Sequence, residues 1–339
     1  MRINRRYFLR LLAEAAMALP TTACVSTLKK EEFYPVNTQP TTKKTPVILD
    51  TDIGSDIDDT WALVMMLKSP ELDVKLITTD TGDTKYRAKI VAKLLEIAGR
   101  TDIPIGIGIP WPEAPSSQAL WVQGYNLASY PGTIRENGVE AIVETIMGSP
   151  ELITLVCIGP VPNIKAALER EPRIAERARF VGMQGSLWRG YDGSPHPVAE
   201  YNVARDPEAC QAAFGASWEV TITPLDTCGI VRLRGKKYET IRDCENPLVQ
   251  ALMENYRIWV QNSEWARGFD PDKESSVLFD TVAVYLAFSE ELLVIKEHGV
   301  RVTDDGRTLI DESARRIRCA TEWKDLAAFE DLLVHRLTQ

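Results

Sequence analysis

The chain has 339 residues, of which 45% are hydrophobic and 26% charged, and its formal net charge at pH 7 is −9. This composition is that of a globular protein, and the length suffices for one large α/β domain or two smaller ones. No block of Lys and Arg occurs after the first ten residues, which argues against a nucleic-acid partner. An acidic chain suits a cation site or a neutral substrate better.

The amino terminus has the features of a targeting segment. Residues 4–10 read NRRYFLR and resemble a twin-arginine export signal. The sequence TTAC then ends in Cys24, which resembles the lipidated cysteine of a lipoprotein; the alternative is a cleaved signal in which Cys24 has no role. We expect an exported protein with a signal over 1–24, a polar linker over 25–44 and a folded domain over 45–339. Lipidation of Cys24 would tether this domain to a membrane.

Six apolar runs after residue 45 are predicted strands. Their Val, Ile and Leu residues are continuous rather than alternating, which is typical of strands buried on both faces of a parallel sheet. The runs are TPVILDTD, VKLITTDTG, IPIGIGI, LITLVCIG, ARFVGMQG and EVTITPL. The predicted fold class is therefore α/β, with an open, mainly parallel sheet flanked by helices.

Amphipathic stretches between and after these strands are predicted helices. They cover 58–68, 84–99, 137–148, 161–170 and 205–214, and in the carboxy-terminal third 247–263, 276–289 and 322–337. This last third is predicted to be mainly helical. Ligands of open parallel sheets collect at the carboxyl ends of the strands. A site is therefore expected where the predicted strands end, at Asp50–Asp52, Asp80–Asp83, Ile158–Gly159 and Met183–Ser186.

Five aspartates lie within ten positions in DTDIGSDIDD, residues 50–59. Capping of the following helix accounts for one or two of them at about 0.5–1 kcal/mol each. An EF-hand loop is excluded, because Gly54 would occupy its fifth position rather than its sixth and Trp61 its twelfth. A bound calcium ion takes six to eight oxygens and offsets the repulsion. The run therefore favours a hard-cation site, with Gly54 allowing a tight turn.

A second interpretation concerns the strand end Asp50-Thr51-Asp52. It resembles the Asp-x-Asp start of phosphatases of the haloacid dehalogenase type. Gly54 stands where that pattern has Thr or Val, and no later Lys and Asp pair completes it. The phosphatase stays as an alternative with less support in the sequence.

Several motifs in order resemble the inosine–uridine preferring nucleoside hydrolases. They are LDTDIGSDIDDTWAL, ITTDTGD, CIGPVPNIKAALEREPRIAERARFVGMQGS, PVAEYNVARDPEA and LFDTVAVYLA, and the similarity spans roughly residues 46–337. The resemblance implies a nucleoside hydrolase fold with a Rossmann-like core. It also implies calcium-dependent hydrolysis of the N-glycosidic bond of ribonucleosides or related ribosides, which releases base and ribose. Relatives are often dimers or tetramers, so a homo-oligomer is implied as well.

The resemblance also assigns metal ligands and a base. In the family, Ca²⁺ lies at the base of a ribose pocket, and water attacks the anomeric carbon with inversion. The implied ligands are the carboxylates of Asp52, Asp59 and Asp280 and the backbone carbonyl of Ile158, and the implied general base is Asp58. Two extra residues follow Gly54 relative to the shorter family motif, so Asp56 is an alternative ligand. Asp50 is expected to orient its neighbours.

Glu200 and Asn202 match ribose-hydroxyl binders of the family; the alternative is a polar loop that caps the helix beginning at DPEA, residues 206–209. The full set of implied substrate-binding residues is Asp83, Met183, Trp188, Glu200, Asn202 and Phe279. Three of this chain's residues depart from the family pattern, in that Phe279 replaces a histidine while Asp83 and Ser194 replace asparagines. These departures favour a substrate other than the common nucleosides.

The histidine that Phe279 replaces is the proposed proton donor to the leaving base. Aromatic stacking could activate the base instead; the candidates are Trp121, Trp188, Tyr201 and Trp265, for each of which ordinary packing is the alternative. His196 is the one histidine near these motifs, with a plain loop residue as its alternative. A non-catalytic protein that binds ribosides in the presence of calcium is the main rival to the enzyme.

Overall fold

The computed structural model describes residues 43–111 and 115–339. The export signal predicted over 1–24 and all but the last two residues of the linker predicted over 25–44 lie outside the described residues. Within the described ranges, no helix is both long and apolar enough to cross a membrane.

The described residues contain ten strands that form one sheet. They are β1 (Thr45–Thr51), β2 (Leu72–Thr79), β3 (Ile105–Ile107), β4 (Ile134–Arg135), β5 (Ile153–Cys157), β6 (Ala178–Met183), β7 (Val220–Thr223), β8 (Leu293–Val302), β9 (Thr308–Ile310) and β10 (Arg316–Trp323). Their order in the sheet is β4-β3-β2-β1-β5-β6-β7-β10-β8-β9. Along this order, each pair of neighbouring strands from β4 at one edge as far as β10 is parallel. Strand β8 pairs antiparallel with both β10 and β9.

Helices cover both faces of this sheet. They are α1 (Asp58–Leu67), α2 (Thr84–Ile97), α3 (Gly138–Gly148), α4 (Pro162–Arg170), α5 (Tyr201–Arg205), α6 (Pro207–Gly215), α7 (Leu225–Cys228), α8 (Gly235–Arg242), α9 (Pro247–Asn262), α10 (Thr281–Leu286) and α11 (Leu326–Thr338). Along β1, Val47 and Leu49 belong to one hydrophobic core and Ile48 to the other, because successive side chains of a strand point to opposite faces. The predicted open, mainly parallel α/β sheet is confirmed.

The carboxy-terminal third differs from the prediction. Strands β8, β9 and β10 were expected to be helical or irregular, and the helix predicted over 322–337 begins only at Leu326, after β10. The helix predicted over 276–289 shortens to α10. Strand β8 lies near the sheet edge and reads LVIKEHGVRV with Lys296 and Glu297 exposed, so it lacks the continuous apolar run of a doubly buried strand.

The strand order places a topological switch point beside β1. The chain runs from β1 outward through β2, β3 and β4, and then returns to β5 on the other side of β1. The residues that follow β1 and β5 are Asp52 and Ile158. Ligands of open α/β sheets bind in the crevice outside the carboxyl ends of the strands at such a point.

Candidate active site

A cavity of about 430 Å³ opens beside this switch point. Among the described residues, its lining includes seven carboxyl groups and six aromatic rings. The acidic set is Asp52, Asp56, Asp58, Asp59, Asp192, Glu200 and Asp280, and the aromatic set is Tyr191, Tyr201, Trp259, Trp265, Phe269 and Phe279. The remaining lining residues are Ser55, Ile158, Met183, Asn202, Ser276 and Val277.

Three buried carboxylates of the acidic set converge. Asp58 and Asp59 form the first turn of α1, and Asp280 directly precedes α10. Each offers a carboxylate oxygen within 4.8 Å of the others. Burial raises the pKa of all three well above the ordinary value, and repulsion from neighbouring aspartates, Asp52 among them, raises it further. Oxygen donors are the ligands that a hard cation such as Ca²⁺ takes, so these residues fit the metal that the family resemblance implies.

Asp52 lies in the same cavity, next to a buried arginine. Its Oδ2 is 3.8 Å from Nη2 of Arg87. Burial raises the pKa of Asp52, and the Arg87 charge opposes that rise. The guanidinium also donates at 2.8 Å each to the carbonyl oxygens of Thr81 and Ile53 and to Oγ of Ser55. Arg87 therefore fixes the loop between β1 and α1 at several points.

Asp50 and Thr51, at the carboxyl end of β1, make hydrogen bonds that hold the start of this loop. The Thr51 hydroxyl donates to Oδ1 of Asp59. Oδ1 of Asp50 accepts from the Thr78 hydroxyl at 2.5 Å and from Nδ2 of Asn163 at 2.8 Å. Burial raises the pKa of Asp50 to about 6. Among the described residues Asp50 is not part of the cavity lining, so its contacts are those of a residue that orients its neighbours.

The turn between the aspartates depends on Gly54. Its φ is +111°, and a Cβ there would come within 2.8 Å of Cε1 of Tyr86. The Tyr86 hydroxyl donates to the Gly54 carbonyl at 3.1 Å. Asp56 follows in the lining and accepts from the backbone N–H of Ile57 at 2.6 Å. Burial raises the pKa of Asp56 to about 7.

Glu200 and Asn202 connect the ends of β5 and β6. Nδ2 of Asn202 donates to the carbonyl oxygens of Ile158 at 3.2 Å and Met183 at 3.0 Å. The Glu200 carboxylate accepts from the backbone N–H groups of Gly185 at 2.9 Å and Asn202 at 2.8 Å. Burial raises the pKa of Glu200 to about 7. Glu200 thus caps α5 and not the DPEA helix α6, whose N-cap is Asp206, and the Glu200 and Asn202 side chains both line the cavity.

Asp83 has a different location from the one the family resemblance implies. It is exposed, and its carboxylate caps α2 by accepting from the backbone N–H groups of Lys85 at 3.1 Å and Tyr86 at 3.0 Å. Within the described ranges it is not part of the cavity lining. A short acidic side chain directly before a helix is favoured as an N-cap, which accounts for its position.

Two predicted tryptophans also lie elsewhere. Trp188 is 43% exposed and its ring lies edge-on to that of His298, with centroids 5.1 Å apart. Trp121 is buried, and its indole N–H donates to Glu254 at 3.1 Å. The cavity lining of the described chain contains none of Trp121, Trp188, Ser194 and His196.

The aromatic set consists of three contacting pairs. The ring centroids are 5.9 Å apart for Tyr191 and Phe279, 5.4 Å for Tyr201 and Trp265, and 6.1 Å for Trp259 and Phe269. The first two pairs are edge-to-face. Sequence reasoning identified Tyr201, Trp265 and Phe279 but missed Tyr191, Trp259 and Phe269, as well as Asp192 and Arg87. The burial of Trp259 could have been predicted from the sequence, because this residue lies on the buried face of the predicted helix 247–263.

Known proteins resemble the chain over most of its length. A family model described as "Inosine-uridine preferring nucleoside hydrolase" matches residues 47–331. Uridine nucleosidase 1 of Arabidopsis thaliana is 26% identical over 299 residues, which are 83% of this chain and 86% of that protein. The pyrimidine-specific ribonucleoside hydrolase RihA of Salmonella arizonae is 30% identical over 276 residues, which are 77% of this chain and 85% of that protein.

The solved structure of a plant nucleoside hydrolase, PpNRh1, aligns with a TM-score of 0.74 at 25% identity, covering 87% of this chain and 99% of that one. The matched range contains both the aspartate run and Asp280, the two parts of the chain that converge in the cavity. The resemblance inferred from the motifs is thus confirmed. This chain belongs to the inosine–uridine preferring nucleoside hydrolase family and is an N-ribohydrolase.

Proposed function

We propose that the enzyme hydrolyses the N-glycosidic bond of ribosides in a calcium-dependent reaction within this cavity. The observation that supports it most is the convergence of Asp58, Asp59 and Asp280 in a cavity that Asp52 also lines. Relatives named uridine nucleosidase and pyrimidine-specific ribonucleoside hydrolase support a nucleoside as the substrate.

The metal ligands in this proposal are the carboxylates of Asp52, Asp59 and Asp280 and the backbone carbonyl of Ile158. All are oxygen donors, as Ca²⁺ prefers. When bound, calcium supplies positive charge that offsets the acidic set and polarises the sugar hydroxyl groups. Asp56 lines the same cavity and is the alternative ligand.

The protein's side chains carry the remaining steps. Asp58 accepts a proton from the attacking water, whose oxygen bonds to the anomeric carbon. The C–N bond breaks with its electron pair on the base, and the carboxylates stabilise the positive charge that grows on the ribose. Glu200 and Asn202 hold the sugar hydroxyl groups, and Met183 and Phe279 contact the substrate. Direct attack by water inverts the anomeric carbon.

The decisive experiment is release of base and sugar by the purified full chain from uridine, cytidine, inosine and adenosine. We expect release with calcium chloride and its loss with EGTA. Undiminished release in EGTA would overturn the calcium requirement. Tight riboside and calcium binding without release would instead favour the non-catalytic binding protein.

Paired variants separate the base from a ligand. Asp58→Asn should lower kcat by about 10²-fold or more, while calcium binding measured by calorimetry persists. Asp52→Asn should weaken calcium binding as well as turnover. The reverse pattern would make Asp52 the base and Asp58 a ligand, an arrangement in which Asp58 acts together with its neighbours Asp59 and Asp280.

The phosphatase interpretation requires Asp50 as the nucleophile. Its carboxylate is buried, bonded to Thr78 and Asn163, and outside the described cavity lining, which argues against that role. Phosphate release from p-nitrophenyl phosphate with magnesium, lost in Asp50→Asn, would revive the phosphatase.

We also propose export through the amino-terminal segment, supported by the sequence alone. Replacing Arg5 and Arg6 by lysine should block the transfer of the protein out of the cytoplasm, measured by cell fractionation. Unchanged transfer would contradict the twin-arginine interpretation. Labelling with a radioactive fatty acid, lost in Cys24→Ser, tests lipidation.

A further inference from the structure

Residues 184–200, the β6–α5 loop, connect β6 to α5, and hydrogen bonds join the two ends of this loop. The backbone N–H of Gly185 donates to the Glu200 carboxylate at 2.9 Å, and that of Val198 donates to Oγ of Ser186 at 3.0 Å. Each bond connects a residue just after β6 with one just before α5. The loop therefore projects from a closed base, which gives its middle residues a defined position.

A buried carboxyl group in α7 fixes the first half of this loop. Oδ2 of Asp226 accepts from the backbone N–H of Leu187 at 2.9 Å, and Oδ1 accepts from those of Trp188 at 2.9 Å and Arg189 at 3.1 Å. Asp226 is 5% exposed. A carboxylate has two acceptor oxygens and can bind several N–H groups at once through short, strong hydrogen bonds. Three consecutive residues immediately before the tip of the loop therefore have a fixed backbone.

The tip of the loop is a tight turn that brings Tyr191 into the cavity. The backbone N–H of Gly190 donates to the Ser194 carbonyl at 2.9 Å, and that of Ser194 donates to the Tyr191 carbonyl at 3.1 Å. Between them, Asp192 and Gly193 have φ values of +54° and +72°. Tyr191 and Asp192 belong to the cavity lining, whereas Ser194, which replaces an asparagine of the family pattern, is outside the described lining. The tip therefore contributes a tyrosine to the cavity in place of residue 194.

Tyr191 connects Phe279 with the residues proposed to hold the sugar. Its ring lies edge-to-face with that of Phe279, with centroids 5.9 Å apart. Its hydroxyl accepts from the backbone N–H of Tyr201 at 3.0 Å, and Tyr201 lies between Glu200 and Asn202 in the sequence. Within the described ranges this hydroxyl donates no hydrogen bond, and burial raises the pKa of Tyr191, so its proton is retained. A free hydrogen-bond donor therefore lies beside Glu200 and Asn202.

The stereochemistry of a β-ribofuranoside determines which hydroxyl group this donor meets. The two secondary hydroxyls lie on one face of the sugar ring, and the base and the primary C5′ hydroxyl lie on the opposite face. A vicinal pair of hydroxyls can bind one cation with both oxygens, so the first face belongs with the converging carboxylates of Asp58, Asp59 and Asp280. Phe279 stands where the family pattern has the proton donor to the base, so Tyr191, which contacts Phe279, meets the other face. The C5′ hydroxyl is the sugar hydroxyl on that face.

We propose, on the basis of the hydrolase function proposed above, that Tyr191 is a substrate-binding residue whose hydroxyl donates a hydrogen bond to the C5′ hydroxyl of the ribose. Asp226 is a positioning residue, because it acts on the substrate only through the β6–α5 loop. A site that supplies a donor to a substrate hydroxyl discriminates against the analogue that lacks this hydroxyl, since the donor then loses its partner. The enzyme therefore selects ribosides with a free primary hydroxyl, and this selection does not depend on the base.

The test compares uridine with 5′-deoxyuridine, and inosine with 5′-deoxyinosine, on the purified full chain with calcium. We expect kcat/KM of the wild-type protein to favour each nucleoside over its 5′-deoxy analogue by at least about tenfold. Tyr191→Phe should lower kcat/KM by about tenfold for the two nucleosides and by less than about twofold for the two analogues. Tyr125→Phe, at a partly buried tyrosine outside the described lining, is the matched control and should change none of these values.

A second variant tests the positioning role of Asp226. Asp226→Asn keeps one of the two acceptor oxygens, so at least one of the three backbone N–H groups loses its partner. It should reduce the preference for uridine over 5′-deoxyuridine about threefold in the wild-type background and leave it unchanged in the Tyr191→Phe background, because both changes act on the same contact. Equal reductions of kcat/KM for both substrates in both backgrounds would overturn the positioning role. Asp325→Asn, an exposed carboxylate that also accepts from a backbone N–H, is the matched control.

Wild-type protein that hydrolyses the 5′-deoxy analogues as fast as the nucleosides overturns the C5′ contact without any variant. Equal losses for nucleosides and analogues in Tyr191→Phe also overturn it, because they assign the hydroxyl to the fold of α5 or to the base, and they leave the hydrolase intact. If no riboside is hydrolysed, the hydrolase function fails and calorimetry decides the contact. A preference for binding uridine over 5′-deoxyuridine that is lost in Tyr191→Phe supports the contact, whereas equal affinities or no binding overturn it.

Discussion

The acidic and aromatic sets line the same cavity but are held in place differently. Four of the seven acids lie within residues 52–59, a segment from the end of β1 to the first turn of α1 that Arg87, Thr51 and Tyr86 bind through buried hydrogen bonds. The six rings come from separate segments of the chain and contact one another mainly edge to face. The acids are therefore held mainly by hydrogen bonds within one segment, and the rings by packing between separate segments.

The strongest test of that division is removal of a converging carboxylate. Asp59→Asn or Asp280→Asn should lower kcat by about 10³-fold, because an electrostatic group at the reacting centre is lost. Calcium affinity, measured by calorimetry, should fall with it. Asp102→Asn, an exposed carboxylate paired with Arg100, is the matched control. Full activity in Asp280→Asn would separate Asp280 from the acidic centre.

Arg87 tests whether the loop's rigidity matters for catalysis. Arg87→Lys keeps the charge but cannot bond all the acceptors that the guanidinium reaches. We expect kcat to fall by about 10–100-fold through misplacement of the reacting groups, with a smaller change in KM. Arg173→Lys, at an exposed pair with Glu171, provides the control. Equal losses in kcat and in thermal stability at both positions would argue against a specific positioning role.

Calcium should stabilise the fold as well as support turnover. A ligand at 100 times its Kd adds about 2.7 kcal/mol to the free energy of unfolding. Thermal unfolding of the full chain in EGTA and in calcium chloride measures this gain. Asp59→Asn should reduce the gain, whereas Asp102→Asn should preserve it. An unchanged Tm in wild-type protein would contradict a calcium site.

The smallest expected effect is the pH dependence of the calcium-free protein. Burial raises the pKa of Glu200 from 4.5 to about 7 and that of Asp50 from 3.8 to about 6, so the folded state holds these protons more tightly than the unfolded state. Their stabilisation is complete below the unfolded values and is lost as the pH rises through the folded ones. In EGTA, Tm should therefore fall between about pH 4 and 7.

With calcium the trend should weaken, because the cation stabilises the ionised acids. The gain in Tm upon adding calcium should accordingly increase with pH across the same range. Glu200→Gln should flatten the EGTA profile in its upper part, near pH 7. A Tm in EGTA that rises with pH would contradict the direction of these pKa shifts.

The sequence predicted the strands and site residues that can be recognised from a short local pattern. Continuous apolar runs identified the central strands, and the strand ends located Asp52, Ile158 and Met183 at one edge of the sheet. Strands β8 to β10 were missed because they lie toward one end of the sheet and their apolar residues are interrupted by polar ones, so they lack that signal. Arg87 was missed because its role depends on the loop it reaches, although it lies on the apolar face of α2, three residues before Ile90.

The aromatic set could be predicted only in part, for a related reason. No local pattern states that Tyr191 contacts Phe279 or that Trp259 contacts Phe269, since these pairs form through tertiary packing. Asp83 shows the opposite case, in which a family position was predicted to bind substrate and the local capping preference describes its contacts. The catalytic and ligand roles of Asp52, Asp58, Asp59 and Asp280 remain predictions.

The convergence of Asp59 with Asp280 has a consequence for synthesis and folding. The two residues are 221 positions apart in the chain (280 minus 59) yet contribute to one group of carboxylates. Bringing such distant segments together has an entropic cost that only a largely completed sheet and its helices can offset. A nascent chain therefore cannot assemble this group of carboxylates until residue 280 has emerged and folded, so the site forms only in a nearly complete enzyme.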